Sequence, residues 1–275
     1  MGQKISNTTS KRTQNSSFLS FLKRFSPQKS SLDKIVLPRK GVLAKLITPP
    51  ANKSSDFTRV ISDCISFAST RTQEYLVFKD PEGKFQPSPQ TLTQVFLMTY
   101  MTQSVNQDLT EAFNCTAMTP EQRILLGADW VWAILEKPTK NPKIQIAVQV
   151  LHLPDTEEAE ERAAARKPVS ESIQMAQMES RNQNAYERMV DFCTSIGKDC
   201  YALFLFFGKR DDMENIYGVL SNNFEAAVGK YDRIDRALIE NFLKGLKYFH
   251  TPLGMMQAIF TKKTEEALTL MIKFS

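Results

Sequence analysis

Tyr201-Ala202-Leu203-Phe204-Leu205-Phe206-Phe207 is the stretch on which the fold class turns. So short and uniform an apolar run shows neither a period of 2 nor one of 3.6, and its pattern fits a buried strand and a buried helix alike. The flanking segments have helical spacing, so the reading leans to a helix and leaves sheet in the minority.

Downstream, Asp212 to Val228 places Ile216, Tyr217, Leu220 and Phe224 on one helical face, and Asp232 to Phe249 does the same with Ile234, Leu238, Phe242 and Phe249. Thr251-Pro252 and Gly254 then precede a last helix from Met255 to about Ile272. Upstream, Ile173 to Ile196 reads as a polar helix whose stripe is Tyr186, Met189, Val190, Phe192 and Cys193. Asp155 to Lys167 carries Glu157, Glu158, Glu160 and Glu161 in its first turns, where a helix dipole favours them, and reads as a solvated connector ended by Pro168.

Residues 143–153 break the helical rhythm, because Ile144, Ile146, Val148 and Val150 alternate with Gln145, Ala147 and Gln149. That alternation predicts a strand. Tyr75-Leu76-Val77-Phe78 has the bulk of a second strand, and the turn Asp80-Pro81-Glu82-Gly83 before Lys84-Phe85 makes a hairpin over about 73–86. After the breaker-rich run from Thr48 to Ser55, Ser55 or Asp56 caps a helix with Phe57, Val60, Ile61, Cys64 and Ile65 on one face. Ser88-Pro89 opens another with Leu92, Val95, Phe96 and Tyr100, and Thr119-Pro120 a third that runs to about Lys137 through Ile124, Leu125, Ala128, Val131, Trp132 and Leu135. Trp130 and Trp132, Met255-Met256 and Phe204-Phe206-Phe207 all read first as core. The expected fold is α+β and mainly α-helical: one compact multi-helix domain over 57–275, open to division near 155–170, behind a flexible basic arm over 1–56.

Composition narrows the function. With 275 residues and 42% hydrophobic content the chain can bury a substantial core. Cys64, Cys115, Cys193 and Cys200 form no Cys-x-x-Cys pair and read as reduced core thiols, and with His152 and His250 they match no closed zinc site. No glycine-rich phosphate loop, Gly-x-Ser-x-Gly elbow or His-Glu-x-x-His occurs, and the chain is read as no enzyme, with no metal. No apolar run approaches the roughly 18 to 20 residues that cross a bilayer, and the N-terminus is too polar for a secretion signal. The expected location is the cytoplasm and the cytoplasmic face of the plasma membrane or another cellular membrane.

The charge is divided unevenly. Residues 1–56 hold eleven lysines and arginines against Asp33 and Asp56, a net +9, while the other 219 residues net −4. Such halves of unlike charge point to an anionic partner for the arm. Met1-Gly2-Gln3-Lys4-Ile5-Ser6 fits N-myristoylation, because Gly2 becomes an unhindered N-terminus and Ser6 holds the preferred position. One acyl chain binds membranes with an association constant of only about 10⁴ per molar, so a second signal is needed. The arm supplies it. Lys4, Lys11, Arg12, Lys23, Arg24, Lys29, Lys34, Arg39 and Lys40 are the headgroup-binding candidates, and Phe18, Leu22 and Phe25 share one helical face as an interfacial wedge.

The pattern from Gly2 to Arg39-Lys40 resembles the matrix proteins of enveloped viruses, including the matrix part of retroviral Gag. The resemblance covers about the first forty residues, and no family signature extends over 57–275. It implies a non-enzymatic peripheral membrane protein that scaffolds virion assembly at the inner face of the host cell membrane. The expected partners are anionic lipids, further copies of the chain and a protein bound through the helical body, with no cofactor beyond the covalent myristate. Two alternatives stand beside it. One is a myristoylated host signalling adaptor released by phosphorylation near Ser26-Pro27. The other is a nucleocapsid-type protein whose arm neutralises nucleic-acid phosphates.

Overall fold

The computed structural model describes residues 53–154, 170–180, 183–229, 233–244, 247–263 and 266–274. A mixed sheet with its strands in chain order lies between two layers of helices. The helices are α1 (Lys53–Leu76), α2 (Pro89–Asn106), α3 (Pro120–Leu126), α4 (Glu171–Glu179), α5 (Ala185–Ile196), α6 (Phe224–Val228), α7 (Arg236–Asn241) and α8 (Pro252–Thr261). The strands are β1 (Phe113–Ala117), β2 (Trp130–Leu135), β3 (Pro142–Leu151), β4 (Cys200–Lys209), β5 (Asp212–Ser221) and β6 (Thr269–Lys273). Neighbouring strands are antiparallel except β3 and β4, whose parallel pairing requires a long crossover that includes α4 and α5.

The two-residue period of the strands sorts the side chains between the layers. Trp130, Trp132, Ile146, Val148, Leu203, Leu205, Phe207, Leu220 and Ile272 form one core with Ile61 and Ile65 of α1, Phe96 and Tyr100 of α2, and Met255 and Met256 of α8. On the opposite face, the Phe204 ring lies 5.8 Å from Tyr186 of α5 and 5.6 Å from Phe224 of α6.

β4 is therefore covered on both faces, and Cys200 to Phe207 are at most 2% exposed. That corrects the helical reading of 201–207. A strand with protein on both sides has no polar face to alternate with, so its run is continuous. The helix expected over 212–228 is β5 followed by the short α6, because Ile216 and Leu220, four apart, also satisfy a two-residue period. Among the described residues of the C-terminal segments only Arg236–Asn241 and Pro252–Thr261 are helical, and β6 replaces the end of the last predicted helix. The polar helix over 173–196 is two helices, with Ser170 capping α4 and Asn184 capping α5 through a capping box.

The predicted hairpin over 73–86 is absent, since α1 continues through Tyr75-Leu76 and no strand follows. Its turn is present. The Asp80 carboxylate accepts the backbone N–H groups of Glu82, Lys84 and Phe85, which also holds its pKa below the usual carboxylate range. Thr119 caps α3 as expected, yet Gly127 ends that helix after 7 residues with φ +70°, and β2 takes over. The tryptophans are core residues on a strand, with ring centroids 5.6 Å apart. The α+β class stands, and the mainly helical balance gives way to a fold organised by its sheet. The four cysteines are free thiols, Cys115 half-buried and the rest buried. Met255, Met256 and the Phe204, Phe206 and Phe207 cluster are buried, so none of them forms a surface for self-association.

Candidate protein-interaction site

From Phe85 to Gln107 the chain has no Asp, Glu, Lys or Arg, although such residues make up 24% of the sequence. This run is α2 with its approach. Leu92, Phe96 and Tyr100 anchor the helix in the core, while Met98 and Val105, two turns apart on the outer face, are each 61% exposed. Most surface helices carry charge opposite the core. This one offers methionine, valine, glutamine and threonine, and charge depletion with exposed methionine marks the centres of protein interfaces. Phe67 of the neighbouring α1, 53% exposed, extends the apolar character of the layer.

Beside α2 lies an edge of the sheet. At the other end of the sheet β6 is capped, because His250 donates its N–H to the Met271 carbonyl at 2.8 Å and accepts that of Lys273 at 2.9 Å. No strand among the described residues pairs with the outer side of β1. Bonds from Leu135 N to Ala112 O and from Met118 N to Asp129 O fix which β1 residues face β2. By alternation, Cys115 and Ala117 turn their N–H and C=O groups outward. β1 itself contains no charged residue.

At the Ala117 end the edge opens into a cavity of about 320 Å³ between α2 and the ends of β2 and β3. Gln90, Thr93, Gln94 and Leu97 form the α2 wall, and Ala117 and Met118 the edge. Asp129, 8% exposed, forms the base, held by Arg123 at 2.6 Å and by the Val150 N–H at 2.6 Å. Burial raises its carboxyl pKa, and the Arg123 guanidinium offsets only part of that. The pair ties α3 to β2 and β3.

His152 stands next to it, with Nε2 3.3 Å from the Thr93 hydroxyl and its carbonyl accepting from the Arg236 guanidinium. Burial, with Arg236 and then Arg123 nearby, lowers its pKa to about 4. An unfolded chain protonates this imidazole below about pH 6.5, whereas the folded one resists until about pH 4. The stability that neutral His152 allows is complete above pH 6.5 and is lost as pH falls through that window, by up to about 3 kcal/mol. Asp129 works in the opposite direction, since its raised pKa relieves a cost on acidification. Urea unfolding at pH 7 and pH 4.5 should show a smaller acid loss for His152→Asn than for the wild type. Equal losses would exclude His152 as the source.

The arm candidates read from sequence, Gly2, Lys4, Lys11, Arg12, Phe18, Leu22, Lys23, Arg24, Phe25, Lys29, Lys34, Arg39 and Lys40, all lie outside the described residues, as does the whole acidic connector over 155–167. Among the described residues no group of three or more His, Cys, Asp or Glu side chains could hold a metal ion. No helix among them is long and apolar enough to cross a membrane. The interaction site is not among the features singled out in the sequence, although its signal, the charge-free run over 85–107, is visible there.

A family model described as Rab15 effector matches residues 48–269. The mouse (Mus musculus) Rab15 effector protein is 29% identical over 186 residues, which cover 67% of this chain and 76% of the mouse protein. These matches overturn the resemblance to viral matrix proteins, and with it the scaffold of a virion at the host cell membrane. The resemblance rested on about forty N-terminal residues, and the family match begins only at residue 48. An acyl motif followed by basic residues is a general solution to membrane attachment and carries no information about the body behind it.

Proposed function

The chain belongs to the Rab15 effector family, and from that membership we propose that it is a host binding protein without enzymatic activity whose partner is a Rab15-type GTPase. The observation that carries this reading is the family match over 48–269, which takes in every element from α1 to the first residue of β6. The neutral outer face of α2 supports it, because a face with exposed Met98 and Val105 and no charge suits a protein partner better than a lipid surface or nucleic acid. The arm then has a separate task. Myristate on Gly2 and the basic residues up to Lys40 would hold the effector at an anionic membrane and leave the body free to bind.

One preparation tests both parts. Full-length chain, co-expressed with N-myristoyltransferase, is compared with Gly2→Ala for binding to GTP-loaded Rab15 in solution and to vesicles containing phosphatidylserine. Both proteins should bind the GTPase equally, and only the acylated one should pellet with vesicles. Failure of both to bind Rab15 sinks the partner, and vesicle binding that survives Gly2→Ala sinks the anchor.

A further inference from the structure

We propose that the GTPase partner docks on the open edge of β1 by laying an extended, uncharged segment of its own chain beside that strand, in the groove walled by α2. The inference rests on the reading of the chain as a Rab15-type effector and specifies where and how that partner binds.

Hydrogen-bond supply defines the occupant. Cys115 and Ala117 point two amides and two carbonyls out of the sheet at a two-residue interval, which is the spacing at which an added strand returns its own groups. A helix has no such groups to spare along its side. The β6 edge cannot serve, because the backbone of His250 already occupies it at Met271 and Lys273. Natural sheets protect their edges with lysine, proline, a bulge or a covering element, and β1 has neither lysine nor proline along Phe113–Ala117.

The walls of the groove define the chemistry of the occupant. Ala117 pairs with Trp130 and shares its face, so its small side chain points to the α2 side and leaves room at the cavity of about 320 Å³. Opposite it stand Gln90, Thr93, Gln94 and Leu97, all uncharged. The charged groups at the base, Arg123 and Asp129, neutralise each other at 2.6 Å. A charged side chain entering here would lose water and gain no counter-charge, whereas a neutral residue with a hydroxyl, amide or short apolar end meets glutamine and threonine partners. The absence of charge from Phe85 to Gln107 extends this selection along the whole of α2. Charge matching thus selects a neutral strand over an acidic or basic peptide.

Ala117→Pro separates this mode from others. Proline is tolerated on an edge strand where its missing N–H faces outward, so the β1–β2 ladder persists while the edge loses a donor. Relative to the wild type, Ala117→Pro should bind GTP-loaded Rab15 at least about tenfold more weakly, the equivalent of about 1.4 kcal/mol, with its melting temperature changed by only a few degrees. Independently, hydrogen exchange at the Cys115 and Ala117 amides of the wild type should slow when GTP-loaded Rab15 is added. Unchanged affinity in Ala117→Pro, or amides that exchange as fast in the complex as in the free chain, would overturn the proposal. Slowing that follows the chain's own concentration without the GTPase would place a second copy on the edge and overturn it equally. If Ala117→Pro fails to fold, the exchange measurement on the wild type decides alone. Absence of any binding by the wild type is a separate outcome, which removes the GTPase reading itself.

Discussion

Gly127→Ala should lower the melting temperature of the protein by about 10 °C or more. Gly127 closes α3 at φ +70°, and a Cβ there would collide with the backbone carbonyl of Ala185, the first residue of α5, and lie 3.1 Å from the Met189 backbone N. The left-handed conformation alone costs a non-glycine residue about 1 to 2 kcal/mol. The collision adds more, because it is with backbone and no side-chain rotation relieves it. Relief requires α5 to withdraw from β3 and β4, which uncovers Val190 and Cys193. Together these terms come to roughly 4 kcal/mol, and at about 2 to 4 °C per kcal/mol for a body of this size the melting temperature falls by the stated amount. Gly83→Ala is the internal control. Gly83 has φ +67°, and no atom lies within 4 Å of the position its alanine methyl would take, so only the conformational cost applies. Equal losses in the two variants would show that contact with α5 is not what requires glycine at 127.

Phe96→Ala should cost about 4 kcal/mol and shift the urea midpoint accordingly. Phe96 is the residue by which α2 grips the sheet: its ring is 5.5 Å from Trp130, 6.4 Å from Trp132 and 5.9 Å from Phe207. Around it the Tyr100 hydroxyl and the Trp130 indole N–H have no hydrogen-bond partner among the described residues, so ring packing dominates this corner. Truncation leaves a cavity that rigid aromatic neighbours cannot collapse to fill. Phe85→Ala, at a site 61% exposed on the approach to the same helix, should change stability by less than about 0.5 kcal/mol. Comparable losses at the two sites would contradict the placement of the core. Since Met98 and Val105 lie on the same helix, loosening Phe96 should also weaken whatever binds its outer face.

The elements that can be read from sequence are those whose signal is local. Ser88-Pro89 and Thr119-Pro120 start α2 and α3 because a side-chain cap and a prolyl first turn act within four residues. β3 is legible because its exposure still alternates at one end, as Gln145 and Gln149 are half-buried while Ile146 and Val148 are buried. The strands that escape a sequence reading are those whose signal is tertiary. β4 is covered by helices on both faces, and β5 continues that covered sheet, so the polar alternation that marks a strand is suppressed in both. Trp130 to Leu135 passes for helix only if the stop at Gly127 is overlooked, although glycine after a capped turn is the usual end of one. The α1 extension through Tyr75-Leu76 runs the other way: bulky residues suggest a strand, and packing against the core keeps them helical.

Function is less legible than fold. The arm draws attention because acyl and charge motifs are written in short sequence, and it points to a membrane without identifying the body it carries. The groove beside β1 combines residues from α2, α3, β1 and β3 with Asp129 just before β2, which no window of sequence brings together. Only the run without charge from Phe85 to Gln107 gives notice of it.

The central claim, that this body is an effector for a Rab15-type GTPase, is tested most directly by isothermal titration of the full-length chain with Rab15 loaded with a non-hydrolysable GTP analogue and, separately, with GDP. The account predicts saturable one-to-one binding to the GTP form at micromolar affinity or tighter, at least about tenfold stronger than to the GDP form. No binding, or equal binding to both forms, would contradict it.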